Sequence, residues 1–185
     1  MELNEGIHLA YCTNIHRGEG WDETFKTLED YTLRVRDEVS PDLPYAIGLR
    51  LGHSAALELN DSRTDNLKDF KAWLEKNNCY IFTINGFPYG QFHGARVKEQ
   101  VYRPDWTDQS RVDYTNLLFD ILVKLLPPGV SGSVSTLPGS FKEFINDDEA
   151  QGDLIVNNIS QCGNHIIRLI EETGKDLHLG LEPEP

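Results

Sequence analysis

Five short apolar runs, four of them followed by a polar loop and an amphipathic helix, constrain this chain more than any other feature. In order, the runs are residues 7–13, 45–51, 79–84, 130–136 and 177–181. Cys79-Tyr80-Ile81-Phe82-Thr83-Ile84 is the clearest, almost continuously apolar, as suits a strand covered on both sides in a parallel sheet. Between the runs, apolar residues recur at three- and four-residue spacing. Trp21, Phe25, Leu28 and Val35 mark a helix over 21–39, and Leu67, Phe70 and Leu74 a helix over 63–77. Leu118, Ile121, Leu122 and Leu125 mark one over 110–126, and Ile155, Ile159, Cys162 and Ile166 one over 149–173. Ser40-Pro41-Asp42, Pro127-Pro128-Gly129 and Gly174 supply the stops that helices of these lengths need.

Strand and helix alternate, and the histidine-bearing loops follow the strands. That pattern predicts an α/β fold with a parallel sheet. Four βα units plus a fifth strand read as a partial (β/α)8 TIM barrel in one domain, residues 1–185. A closed barrel takes about 250 residues, so the barrel is expected to be truncated after strand five, with an unpaired strand at each edge. Such edges invite pairing with other chains unless covered.

Thirty acidic residues against seventeen basic ones give a formal net charge of -13. A chain so acidic is expected to repel nucleic acid and anionic lipid alike. No run approaches the roughly 18 apolar residues of a membrane span, and the acidic N-terminus lacks the layout of a secretory signal, so a cytoplasmic location is expected. Cys12, Cys79 and Cys162 are far apart and odd in number, which predicts free thiols rather than a disulfide or zinc site.

Chemistry in a βα barrel sits at the strand tips, and the polar residues there are the candidates. Asn14 and His16 follow strand one. A histidine there can bind a substrate hydroxyl, shuttle a proton or ligate a metal, or it can be structural. Arg50 closes strand two, where it can fork onto a carboxylate or phosphate or pair with Glu182. Asn85-Gly86-Phe87-Pro88-Tyr89-Gly90-Gln91-Phe92-His93 is the richest stretch, with Asn85, Tyr89 and His93 as candidate substrate contacts among apolar walls. The loop can equally pack on its own helix. Ser135, Thr136 and Ser140 can hydrogen-bond hydroxyls or cap the following loop. Glu182, directly after strand five, offers a hard oxygen ligand for Mg²⁺ or Mn²⁺. Its other reading is a buried acid held by Arg50 or His53.

Taken together, Tyr11-Cys12-Thr13-Asn14-Ile15-His16, Gly48-Leu49-Arg50-Leu51, the 82–90 stretch with Phe92-His93, Val97-Lys98-Glu99-Gln100-Val101-Tyr102-Arg103-Pro104-Asp105-Trp106 and the ending Leu181-Glu182-Pro183-Glu184-Pro185 form one pattern. The chain resembles the EboE-type metabolite-traffic proteins of the xylose isomerase-like TIM-barrel superfamily, from about His8 to the last residue. The resemblance implies an operon-encoded protein handling small metabolites. It also implies a divalent metal, Mn²⁺ or Mg²⁺ with Zn²⁺ as a further candidate, because epimerase-like members use a strand-five glutamate that Glu182 matches. Their remaining ligands come from strands six to eight, so the metal site is expected to be incomplete in this chain. Two functions are therefore expected: a metal-assisted isomerase or epimerase-like enzyme, or a non-catalytic metabolite-binding or carrier module. In either case the partners are a small-molecule metabolite and other proteins of the same pathway.

Overall fold

A computed structural model describes residues 1–3, 6–90, 98–146 and 149–183. A five-stranded sheet organises the chain, built from β1 (Ala10–Cys12), β2 (Tyr45–Arg50), β3 (Cys79–Asn85), β4 (Gly132–Thr136) and β5 (Leu177–Leu181). Its order is β1-β2-β3-β4-β5, and every pairing is parallel. Consecutive order means that each crossover steps in the same direction. With right-handed crossovers, all the connecting helices then fall on one side of the sheet.

The helices are α1 (Trp21–Thr27), α2 (Leu33–Val39), α3 (His53–Leu59), α4 (Asn66–Lys76), α5 (Gln109–Leu125) and α6 (Glu149–Thr173). Between α1 and α2, Leu28–Thr32 winds as a π-helical turn without breaking the run. Such turns recur where a side chain must be re-aimed. Gly174 ends α6 at φ 67°, its N–H donating to the Ile170 carbonyl, as an αL cap does.

The alternation of the strands sorts their side chains between two sides. A Cβ on Gly132 would meet Leu122 of α5 and Leu126 at its C-cap, so Gly132 and, by period two, Val134 and Thr136 face the helices. Buried Ile47, Leu49, Ile81, Ile84, Leu118, Phe119, Leu122, Val134 and Leu177 belong to the core. Each such side chain stabilises the fold by roughly 1.5–3 kcal/mol. Small and polar residues take the other side. Gly48, Thr83, Ser133 and His178 lie in one register row, and the Ser133 hydroxyl donates to Thr83 Oγ1 at 2.8 Å.

Two stretches differ most from the expectation. Strand one was expected from residue 7, but residues 7–9 turn back on the N-terminus instead. Leu3 N–H donates to the Ile7 carbonyl at 2.7 Å and Leu9 N–H to that of Met1 at 2.8 Å. This antiparallel pairing gives the backbone groups of Ile7 and Leu9 their partners in the N-terminal segment. The long loop after β3 is not wholly irregular, since Lys98–Tyr102 forms a 3-10 helix. Cys79 and Cys162 are buried, Cys12 is exposed, and all three thiols are free. Among the described residues, no helix is long and apolar enough to cross a membrane.

Candidate functional site

Asn85 and Glu182 come together at the carboxyl ends of the strands, on the side without helices. Asn85 pairs in register with Ser135, and Ser135 with Gly180, so the three share that side. Glu182, two residues beyond Gly180, follows by the same period and continues the ladder through its N–H to the Thr136 carbonyl at 2.8 Å. The Asn85 amide approaches Glu182 Oε1 at 3.4 Å, while its Oδ1 accepts the Phe87 N–H at 2.8 Å. Asn85 thus ties the turn after β3 to the carboxylate after β5, across 97 residues of chain.

Thr136 and His16 lie elsewhere. The Thr136 side chain is fully buried on the helix side, and its Oγ1 has no hydrogen-bond partner among the described residues. Ser135, one residue earlier, has the outward parity that a ligand contact needs. His16 folds back over the helix side of β1: its Nε2 is hydrogen-bonded to the Tyr11 hydroxyl at 2.9 Å, and its ring stacks on Tyr31 at 5.1 Å. Tyr31 belongs to the π turn, which places that ring. Burial pulls the His16 imidazole below its ordinary pKa. Asn14 sits half-buried in the 3-10 turn Thr13–Ile15. His93 falls outside the described residues.

Arg50 binds neither Glu182 nor any other carboxylate among the described residues. Its Nη1 donates to the Gly18 carbonyl at 3.0 Å and its Nη2 to the Gly90 carbonyl at 2.8 Å. It therefore brackets the loops that follow β1 and β3. The Arg50 N–H donates to Thr13 Oγ1 at 2.8 Å, while Nε has no hydrogen-bond partner among the described residues. A cavity of about 10 Å³, enough for one water, lies between Arg50, Thr13, Thr24 and Thr27.

The Tyr89 loop does pack on its own elements. The Tyr89 ring stacks on His53 at 4.5 Å and meets Tyr114 edge-on at 4.9 Å, and its carbonyl accepts the His53 N–H at 2.8 Å. Desolvation lowers the His53 pKa and raises those of Tyr89 and Tyr114. Tyr114 is buried and donates its hydroxyl to the Leu51 carbonyl.

Arg111 was missed in the sequence, although it is the most deeply buried cation among the described residues. It is 0% exposed and sits in the first turn of α5, with Nε donating to the Pro104 carbonyl and Nη1 to the Gly86 carbonyl, both at 2.8 Å. The signal available was an arginine three residues after the α5 N-cap, Asp108, among other polar residues of the first two turns, Gln109, Ser110, Asp113, Thr115 and Asn116. Nothing in that pattern says that the guanidinium turns inward.

Glu182 supplies a carboxylate, but the Asn85 atom facing it is an amide nitrogen, which cannot ligate a metal. Among the described residues no three His, Cys, Asp or Glu side chains converge on one point. These residues do not by themselves make a metal site.

A cavity of about 440 Å³ opens at the opposite end of the sheet, lined in part by His8, Leu43, Cys79, Tyr80 and Val130. His8 Nδ1 is hydrogen-bonded there to the Tyr80 hydroxyl at 2.8 Å. Parallel α/β sheets bind ligands outside the carboxyl ends of their strands, so the Asn85–Glu182 end is the better candidate. Compared with known proteins, the chain matches no family model, no curated protein and no solved structure.

Proposed function

We propose that this chain is part of a xylose isomerase-like (β/α)8 barrel, of the EboE-type metabolite-traffic kind, acting on a small hydroxylated metabolite as an isomerase or epimerase-like enzyme. One observation carries the reading: Asn85 and Glu182 converge at the carboxyl end of a consecutively ordered parallel sheet, beside a side lined by Thr83, Ser133 and Ser135. Hydroxyl and amide groups of this kind match the donors and acceptors of a polyol. In this reading Glu182 contributes one oxygen ligand to Mn²⁺, Mg²⁺ or Zn²⁺, and the other ligands come from outside the described residues.

The chain's own groups orient the metabolite. Asn85 holds the Glu182 carboxylate through its amide, and Ser135 meets a substrate hydroxyl. A second reading, a metabolite-binding or carrier module in the cytoplasm, draws on the same hydroxyl-lined side, which binds a polyol without needing a metal.

One experiment separates them. The chain is incubated with a panel of aldoses and ketoses plus Mn²⁺, and both turnover and binding are followed with and without EDTA. Turnover abolished by EDTA and by Glu182→Gln supports the enzyme. Binding that survives both treatments without turnover supports the carrier. Neither turnover nor binding refutes both readings.

A further inference from the structure

The cavity of about 440 Å³ lies at the other end of the strands from Asn85 and Glu182, and the proposed function makes no use of it. Its size falls within the roughly 300–1,000 Å³ that holds a small organic molecule. The loops entering β2 and β4 give it apolar walls, Leu43 from the first and Pro127 and Val130 from the second. Leu43 is 61% exposed, so a large apolar side chain stands in water at the cavity.

Its polar groups come from the N-terminal segment and the start of β3. Glu2 and His8 face each other across an antiparallel bridge. The bonds that flank them, Leu3 N–H to the Ile7 carbonyl and Leu9 N–H to that of Met1, make this a non-hydrogen-bonded pair. In such a pair the two side chains leave on one face and stand at their closest. The Glu2 side chain is exposed and makes no salt bridge among the described residues. His8 is fixed from β3: Nδ1 is hydrogen-bonded to the Tyr80 hydroxyl at 2.8 Å, and the imidazole lies 5.7 Å from the Tyr80 ring and 5.2 Å from that of Phe82.

Charge decides what fits. No lysine or arginine lines the cavity among the described residues. The Met1 ammonium, which also lines it, donates to the Leu9 carbonyl at 2.6 Å, and burial holds its pKa below the ordinary 8.0. A carboxylate without a basic partner repels an anion and attracts a cation, and the face of a tyrosine ring attracts a cation too. A solvated glutamate alone would need no apolar hollow beside it.

We propose that this cavity is a second binding site, for a small organic amine whose ammonium meets Glu2 and the Tyr80 ring and whose apolar body lies against Leu43, Pro127 and Val130. His8 supplies a further acceptor. With Nδ1–H donating to the tyrosine oxygen, its Nε2 keeps a lone pair for the ammonium. Hydrogen bonds from an ammonium to a carboxylate are about twice as strong as neutral ones, and burial of the apolar body adds affinity. The site does not rest on the proposed function, because neither Glu182 nor a metal takes part in it.

The test titrates the wild-type chain by calorimetry with three probes that share one ring system: tryptamine, tryptophol and indole-3-propionate. At about pH 8.5 the Met1 amine is largely uncharged, whereas an alkyl amine, with a pKa of about 10, remains a cation. Saturable binding is expected, tightest for the amine, weaker for the alcohol and weakest for the acid. Glu2→Gln should weaken tryptamine by about fivefold or more and leave tryptophol within about twofold. Leu43→Lys, which sets a cation at the cavity, should abolish tryptamine binding. Both replaced side chains are exposed, so both variants should fold.

Binding that keeps this order after Glu182→Gln and EDTA sustains the site even if the isomerase reading fails. No saturable response to tryptamine, or any other order of the three probes, overturns it. So does tryptamine binding that neither Glu2→Gln nor Leu43→Lys alters.

Discussion

Gly86→Ala is a one-methyl change whose effect can be worked out from the geometry. An ideal Cβ at Gly86 would stand 2.7 Å from Leu118 Cδ1 and 2.9 Å from the Ser135 carbonyl oxygen. Carbon contacts relax near 3.5–4.0 Å, so both neighbours must retreat by roughly 0.5–1 Å. The Leu118 tip can rotate, but that side chain is fully buried in the core. The Ser135 oxygen cannot retreat cheaply, because it is backbone and already accepts the Gly86 N–H at 2.9 Å. Overpacking costs about 1–3 kcal/mol, and stretching that hydrogen bond adds on the order of 0.5–1.5 kcal/mol.

A destabilisation near 3 kcal/mol is therefore expected, a fall in Tm of roughly 6–12 °C for a chain of this size. Urea titration followed by circular dichroism measures it, with Gly90→Ala as the control. A Cβ on Gly90 meets nothing within 4 Å among the described residues, so that variant should stay within about 0.5 kcal/mol of wild type. Equal stability of the two variants would refute the packing argument.

Three further outcomes follow from burial and pairing. Ellman's reagent should titrate one thiol quickly in the native chain and three after denaturation, because Cys12 is exposed whereas burial holds Cys79 and Cys162 up at about 11 and 12; three fast thiols would show that the core is not closed. Folding should weaken below neutral pH through His16 and His53. Burial depresses both folded pKa values below the ordinary 6.5, so their contribution is complete above that value and is lost as the pH falls through the folded ones. A His16→Gln, His53→Gln double variant should flatten the stability profile between neutrality and mild acid, and an unchanged slope would count against it. Asn158→Ala should cost about 1–3 kcal/mol, because the buried Asn158 amide donates to the Trp106 carbonyl at 2.8 Å and its loss strands that oxygen. Thermal unfolding of the purified variant checks the figure.

How much was legible in the sequence depended on whether a local pattern carried the information. The β3 run and the α5 stripe were readable because burial on both sides writes a continuous apolar run, and burial on one face writes a stripe. The β1 start was misread because residues 7–9 are as apolar as a strand, and only their pairing partner tells a hairpin from a sheet. Parity undid Thr136, where a shift of one residue changes the side of the sheet. The meeting of Asn85 and Glu182 was foreseeable in outline, since both end a strand. His16 was not, because its orientation depends on Tyr31, fifteen positions along in a turn that no propensity announces. Arg111 offered no more than its place three residues after Asp108: an inward guanidinium is fixed by the carbonyls of Gly86 and Pro104, which look like any others in a sequence.

The consecutive order of the strands also bears on how the chain is made. Each strand after the first pairs with the one immediately before it, so every new strand leaving the ribosome finds its neighbour already synthesised. Chains emerge at about 5–20 residues per second, so each crossover of some tens of residues takes seconds to synthesise. A doubly wound sheet must hold an early strand open for one made much later. Here the order of synthesis and the order of assembly coincide, and at any moment the nascent sheet exposes just one newly made edge to the crowded cell.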